Sequence, residues 1–291
     1  RLKKTLQMMI GKIKQFNFKS LLILNTFALI VTSYFFKNFI CLGVYTLFFF
    51  ISLFTTKNGL KTIKKLNLLQ NIRTEGPSNH FKKSNTPTMG GIFMIIPFLI
   101  FLLIITINLG SLKLLLLLFT IFGFFFTGFL DDYLSIKNRK NTGLKSKEKF
   151  ILQSIISIIF IFIAYENDLI NPLIKISESW EIDTSIFIFP ISFLVLVGIS
   201  NSVNLTDGLD GLAAGCSGIV FYGLGTEILM KEQKELFVFS LLCYSMSGIC
   251  LGFLKYNNYP AKIFMGDTGS LSIGAILGSI ALLTNSVFTL S

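Results

Sequence analysis

Apolar runs close to the length of a bilayer crossing recur along the whole chain, at about 21–36, 39–56, 92–108, 112–130, 150–165, 186–203, 213–230, 236–254 and 271–288. No water is available inside a bilayer to satisfy backbone groups, so segments of this kind must be helices that close their own hydrogen bonds. The composition agrees. Only 14% of the 291 residues are charged, 32 are Phe, and the mean hydropathy is +0.71, whereas a soluble domain carries about a quarter charged residues. A soluble all-α protein with buried helices is the competing reading, and the charge content disfavours it. The expectation is an all-α, polytopic transmembrane bundle of about eight or nine spans forming a single domain over 1–291, with no loop long enough to hold a soluble domain. The first two runs are short and split by Lys37 and Asn38. They read either as a tight hairpin or as one interfacial helix and one span.

The distribution of positive charge orients the bundle. If the loop 57–91 is cytoplasmic, so are 131–149, 201–212 and 255–270. Together these hold Lys57, Lys61, Lys64, Lys65, Arg73, Lys82, Lys83, Lys137, Arg139, Lys140, Lys145, Lys147, Lys149, Lys255 and Lys262. The opposite side holds only Lys113, Lys175, Lys231 and Lys234, which places the basic side in the cytoplasm. The net charge of +11 then reads as orientation and attraction to anionic lipid or phosphate rather than as nucleic-acid binding. The basic segment 1–20 opens at Arg1 and has no small-residue cleavage site of a signal peptide. Cys41, Cys216, Cys243 and Cys250 lie in or beside apolar runs without C-x-x-C spacing, so they read as reduced packing residues. His80 is the one histidine, which excludes a His-rich metal site within these residues.

With that orientation, four polar motifs fall on one face: TPTMGG (86–91), DDYLSIKNRKNTGLKSKEK (131–149), NSVNLTDGLDGLA (201–213) and FMGDTGS (264–270). They read as one composite site. Asp131 and Asp132 are either a helix-end pair at the water interface or, given the basic residues that follow, part of a site for anions and Mg²⁺. Asn204, Asp207 and Asp210 recur every three residues, one face if helical, and Gly208 and Gly211 leave room for a ligand to approach the backbone. Asp267 sits between glycines with Thr268 and Ser270 beside it. Such hard oxygen donors suit Mg²⁺ bridging substrate phosphates. Phe264 is either core or a platform for a flat base, and Lys83 and Lys147 supply countercharge for a pyrophosphate. No Walker loop or dinucleotide fingerprint is present. The residues therefore point to Mg²⁺-dependent phosphoryl chemistry between a membrane-borne anionic lipid and a soluble, nucleotide-like donor.

The stretches GPSNHFKKSNTPTMGG, DDYLSIKNRKNTGLKSKEKF, NSVNLTDGLDGLA and YPAKIFMGDTGSLSIGA, in this order and spacing over about 57–285, closely resemble the phospho-N-acetylmuramoyl-pentapeptide transferases of peptidoglycan synthesis. These belong to the polyprenyl-phosphate hexosamine-1-phosphate transferases. The resemblance implies an enzyme of the bacterial inner membrane with its active site facing the cytoplasm. Its reaction converts UDP-N-acetylmuramoyl-pentapeptide and undecaprenyl phosphate to lipid I and UMP, with Mg²⁺. It implies Asp267 as the metal ligand, Asp131 as base or nucleophile, Asp132 as its support and Lys147 as an essential loop lysine. Asn204, Asp207 and Asp210 are implied in the substrate pocket, with Lys83, Thr88, Gly208, Leu209 and Phe264 around the nucleoside. His80, in the first motif, is either an ordering residue or a substrate contact. The expected partners are the two substrates and the bilayer, with a homodimer left open and nucleic acid excluded. The family continues into a further loop with a His-His-His run and a last span. The sequence ends at Ser291 without that run and begins without Met, so a C-terminally truncated chain is expected. A transferase using UDP-GlcNAc, or a non-catalytic lipid or nucleotide-sugar transporter, are the alternatives.

Overall fold

The computed structural model describes residues 18–36, 38–65, 86–138, 143–177 and 180–287. His80, Lys83 and most of the basic N-terminal segment lie outside the described residues. The chain forms α1 (Phe18–Phe35), α2 (Phe39–Lys65), α3 (Gly91–Leu109), α4 (Leu112–Lys137), α5 (Ser146–Glu166), a two-stranded antiparallel hairpin of β1 (Leu173–Ser177) and β2 (Trp180–Asp183), then α6 (Ser185–Thr206), α7 (Leu212–Met230), α8 (Lys234–Asn257) and α9 (Asp267–Leu283). Among the described residues, α1 to α8 are each long and apolar enough to cross a membrane, and α9 is shorter, with 17 residues. The polytopic helical bundle expected from the sequence is therefore what forms.

The structure decides between the two readings of the first runs and changes three other segments. The first two runs are both full helices joined by three residues, so they form a hairpin. α2 continues past the apolar run to Lys65, because Leu60 and the buried Ile63 keep one face against the bundle while Lys57, Lys61 and Lys64 point outward. α4 likewise runs on through Asp131 and Asp132 to Lys137, which puts both carboxylates on a helix rather than in a loop. The polar stretch between the apolar runs 150–165 and 186–203 contains the β hairpin.

Two helices are surrounded by the others. α8 is buried over most of its length between α2 and α7, and every residue of α9 from Thr268 to Leu283 is buried among α3, α4 and α6. In lipid, helix association cannot rest on apolar burial and depends on close backbone approach and interhelical hydrogen bonds. The composition of α9 supplies that approach. A Cβ at Gly91 would lie 2.2 Å from Gly269 N, and one at Gly274 would lie 2.3 Å from Ser200 Cα. Hydroxyls donate across such contacts, from Ser200 Oγ of α6 to Leu271 O of α9 (3.0 Å) and, at the α2–α8 contact, from Ser52 Oγ to Ile249 O (2.8 Å). The outer surface is apolar: Phe27, Phe54, Ile107, Phe122 and Phe162 are exposed, as lipid-facing side chains must be.

The end of α9 remote from the four motifs is held by Lys231. Its ammonium donates to Thr284 O (2.8 Å), Asn285 O (3.1 Å) and Ser286 Oγ (2.8 Å) and pairs with Glu227 (2.8 Å). A cation among terminal carbonyls satisfies both their lone pairs and the helix dipole. Gly91→Ala should lower the midpoint of thermal unfolding in detergent, by an overpacking cost of about 1–3 kcal/mol. Gly43→Ala, where a Cβ meets nothing within 4 Å, should leave the midpoint unchanged or raise it. Equal midpoints for the two variants would contradict this packing.

Candidate active site

The site is assembled around the N-terminus of α9. The first N–H groups of a helix have no partner within it and favour an anion. Here the anion comes from another helix: Asp132 of α4 accepts from Asp267 N (3.1 Å), Thr268 N (2.9 Å) and Thr268 Oγ1 (2.6 Å). Gly266, just before α9, has φ +75° and its absent Cβ would fall 2.5 Å from Asp132 Oδ2. Both facts demand glycine, which accounts for the MGD sequence. Behind this junction the TPTMGG segment is hydrogen-bonded to Phe264 and Met265. Phe264 N donates to Pro87 O, Gly90 N to Phe264 O and Gly91 N to Met265 O, each at 2.8 Å. Thr88 is buried inside this strap.

Asp131 precedes Asp132 by one residue and so points about 100° around the helix. Its Oδ1 accepts from Leu144 N (2.9 Å) and pairs with Lys149 Nζ (3.2 Å). The same ammonium pairs with Asp267 Oδ2. Asn204 donates to Asp267 Oδ1 (2.7 Å) and Ser270 Oγ (2.9 Å), tying the end of α6 to the start of α9. Carboxylate oxygens of Asp131, Asp132 and Asp267 all lie within 4.8 Å of one another. Asp207 caps the end of α6 with its carboxyl toward Gly266 N–H. Burial first, and then the charges of Asp267 and Asp132, push that carboxyl well above the usual carboxylate range. Asp210 turns away to accept from Ala261 N (3.0 Å). Beside it Asn257 accepts from Gly211 N (3.1 Å) and donates to Ile263 O (2.9 Å), stitching the 207–211 turn to the 258–264 segment.

The structure thus brings Asp131, Asp132, Asn204, Asp207 and Asp267 into one cluster, with Asp210 on its border. Gly208 and Leu209 are exposed on the turn and Phe264 is half-buried in the strap. Lys147 is exposed, and it is Lys149, two residues on, that stands between the carboxylates. The sequence reading counted Lys149 only as loop charge. Its helical phase on α5 was the missing information, since α5 begins at Ser146 and only one lysine of the run can face α4 and α9. Asn257 also went unnoticed. A buried asparagine closing an apolar helix was the available signal.

Four carboxylates with one ammonium among them leave an excess of negative charge in a partly buried space. The donors are hard oxygens on well-fixed side chains, and the one cation present bridges Asp131 and Asp267. That arrangement fits a divalent cation of the Mg²⁺ type, which Asp267 could hold together with Asp131 and Asp132. From this cluster a groove of about 660 Å³ runs between α5 and α6. Lys147, Lys149, Asn201 and Asn204 line one end, and Phe150, Phe193, Leu194 and Val197 line the other.

Residues 114–285 match the glycosyl transferase family 4 model, and residues 83–95 match phospho-N-acetylmuramoyl-pentapeptide-transferase signature 1. The chain is 86% identical to a phospho-N-acetylmuramoyl-pentapeptide-transferase of Prochlorococcus marinus (strain MIT 9312), over 97% of the chain and 79% of that relative. It is 39% identical to the enzyme of that name from Thermodesulfovibrio yellowstonii, over 84% of the chain and 71% of the relative.

A carboxyl whose folded-state pKa is raised binds its proton more tightly in the native state than in the unfolded one. Above the unfolded value of about 3.9, native stability therefore falls as pH rises toward the folded value. Asp207→Asn should unfold at a higher temperature than the parent protein at neutral pH in a chelator. The gap should close below about pH 4, where both states are protonated, and on addition of Mg²⁺. A parent protein as stable as the variant at neutral pH without metal would show that Asp207 is not under this repulsion.

Proposed function

The chain belongs to the phospho-N-acetylmuramoyl-pentapeptide-transferase family, and from that premise we propose that it transfers phospho-N-acetylmuramoyl-pentapeptide from UDP to undecaprenyl phosphate. The products are lipid I and UMP, the reaction requires Mg²⁺, and the site faces the cytoplasm from the inner membrane. The observation that carries the reading is the Asp131–Lys149–Asp267 cluster at the end of a membrane bundle, opening into a groove that is cationic at one end and apolar at the other. A phosphate on a lipid anchor and a water-soluble pyrophosphate can meet at such a place.

In the proposed reaction an oxygen of the lipid phosphate forms a bond to the sugar-bearing phosphorus of the donor. The bond from that phosphorus to the bridging oxygen breaks, and UMP leaves with the electron pair. A bound Mg²⁺ supplies charge neutralisation on the pyrophosphate and the departing UMP. Asp267 is its main ligand, held in place by Asn204. Lys149, beside the groove, offers an ammonium to phosphate oxygens. Asp131 acts either as the base that deprotonates the acceptor or as a nucleophile toward the donor. Asp132 has all three of its hydrogen bonds committed to α9 and acts as a positioning residue.

The test is UMP release from labelled UDP-N-acetylmuramoyl-pentapeptide and undecaprenyl phosphate in membranes carrying the full-length protein, with UDP-GlcNAc offered in parallel. Release from the muramoyl donor alone is expected, and release from neither donor, or transport of the intact nucleotide sugar, would sink the proposal. Asp267→Asn should cut turnover by about 100-fold or more and weaken the Mg²⁺ dependence. Asp131→Asn should lose transfer while donor binding survives. Lys149→Met should cost turnover, whereas Lys147→Met, on the rim, should act mainly on KM. An unchanged Mg²⁺ titration in Asp267→Asn would remove it as the ligand.

A further inference from the structure

The basic run that follows the paired aspartates contains two residues that carry no charge, Gly143 and Leu144. Gly143 lies directly against the backbone of Asp131. A Cβ there would fall 1.9 Å from Asp131 O and 2.9 Å from Asp131 Cα. The next residue, Leu144, donates its N–H to Asp131 Oδ1 (2.9 Å). The chain that leads into α5 therefore touches Asp131 twice, once on its backbone and once on its carboxylate.

The start of α5 does not require this contact. The helix is closed by its own residues, with Lys145 N donating to Glu148 Oε2 (2.8 Å) and Lys149 N to Lys145 O (3.0 Å). Gly143 and Leu144 are half-buried, and at such a place water satisfies a loop N–H as well as a carboxylate does. Gly143 has no left-handed φ that calls for glycine, in contrast with Gly266. Its closeness to Asp131 alone demands the missing side chain, against the larger entropy that a glycine loses on folding.

What the contact supplies is orientation. α5 begins at Ser146, so fixing Gly143 and Leu144 on α4 also fixes where Lys149 stands, one turn into the helix. Lys149 Nζ then pairs with the same Asp131 Oδ1 (3.2 Å). One oxygen of the carboxylate is thus gripped by an N–H and an ammonium, and the side chain cannot rotate without losing both. A carboxylate held through one oxygen keeps the other, Oδ2, for a reacting group.

Resting on the transferase reading above, we propose that Gly143 and the Leu144 N–H form a clasp that positions Asp131. The clasp holds Oδ1 toward α5 and presents Oδ2 to the phosphate chemistry. Gly143 and Leu144 are then positioning residues for the transfer step, separate from the donor's contacts around Asp207 and Asp210.

The experiment removes the N–H alone, by exchanging the Leu144 peptide nitrogen for an ester oxygen in the full-length protein. A second variant, Gly143→Ala, pushes the clasp off Asp131 sterically. Turnover is counted per donor-binding site, so that an unfolded fraction does not imitate a slow enzyme. Both changes should lower kcat by about tenfold or more, and KM for the UDP donor should stay within about twofold. Gly43→Ala, where a Cβ meets nothing within 4 Å, should keep the parent protein's kcat. A loop that served only the fold would lower the thermal midpoint of the ester variant and leave kcat per site unchanged, and that result overturns the proposal. So does a loss that falls on donor KM instead of kcat. A readout without substrates is hydrogen exchange at Leu144, which should be about tenfold faster in Asp131→Ala than in the parent; equal rates overturn the clasp. If the unsubstituted protein releases no UMP, the transferase reading fails and the exchange rates alone decide the clasp. An active parent with an indifferent ester variant defeats the clasp alone.

Discussion

The site depends on one carboxylate whose hydrogen bonds all come from the start of a neighbouring helix. Asp132 of α4 holds the first two residues of α9 through their N–H groups and the Thr268 hydroxyl. A helix end at a membrane surface has unsatisfied donors that must find an acceptor. Here that need is met by a residue 135 positions earlier in the chain. The bond therefore does two things together. It closes the bundle between α4 and α9, and it delivers Asp267, the first residue of α9, to the neighbour of Asp132 on α4, which is Asp131. Two adjacent aspartates take different roles because successive helical residues point about 100° apart: one faces the start of α9, the other faces α5 and its lysine.

The glycines and the charges serve the same end. Close contacts such as Gly91 on Gly269 let α9 sit within backbone distance of its neighbours, and in lipid this is the available route to a rigid core. Rigidity matters because four carboxylates in one partly buried space repel one another, and a loose scaffold would relieve the repulsion by spreading. Asn204 and Lys149 oppose the spreading by bonding Asp267 from two other helices. The repulsion that remains would be relieved by a cation placed among the carboxylates. The low-charge bundle and the charge-dense site are thus one design: the first makes the second hold its shape.

Much of this was legible in the sequence. Run length gave the helices, the lysine count gave one populated face, and the four motifs identified Asp131, Asp132, Asn204, Asp207 and Asp267, which the fold brings together. What remained hidden has physical causes. Lys149 and Lys147 look alike in a basic run, and only the start of α5 at Ser146 decides which faces the carboxylates. TPTMGG read as part of a binding loop, yet its backbone bonds to the 264–265 carbonyls make it the strap that holds the FMGDTG turn. Strap and loop have the same small-residue signature, because both need backbone at close quarters. Asp210 carried the spacing of a site residue and spends an oxygen on Ala261 N. Periodicity fixes which face of a helix a residue occupies, and what lies opposite that face is set by other parts of the chain.

The glycines make the same point most sharply. Gly91, Gly266, Gly274 and Gly198 are indistinguishable as letters. Gly266 is required by its φ and by Asp132, and Gly91 and Gly274 by the backbones they touch. Gly198 answers to none of these constraints, since its dihedrals are helical and the space beside it is open, so the same letter marks a packing requirement in one helix and none in another.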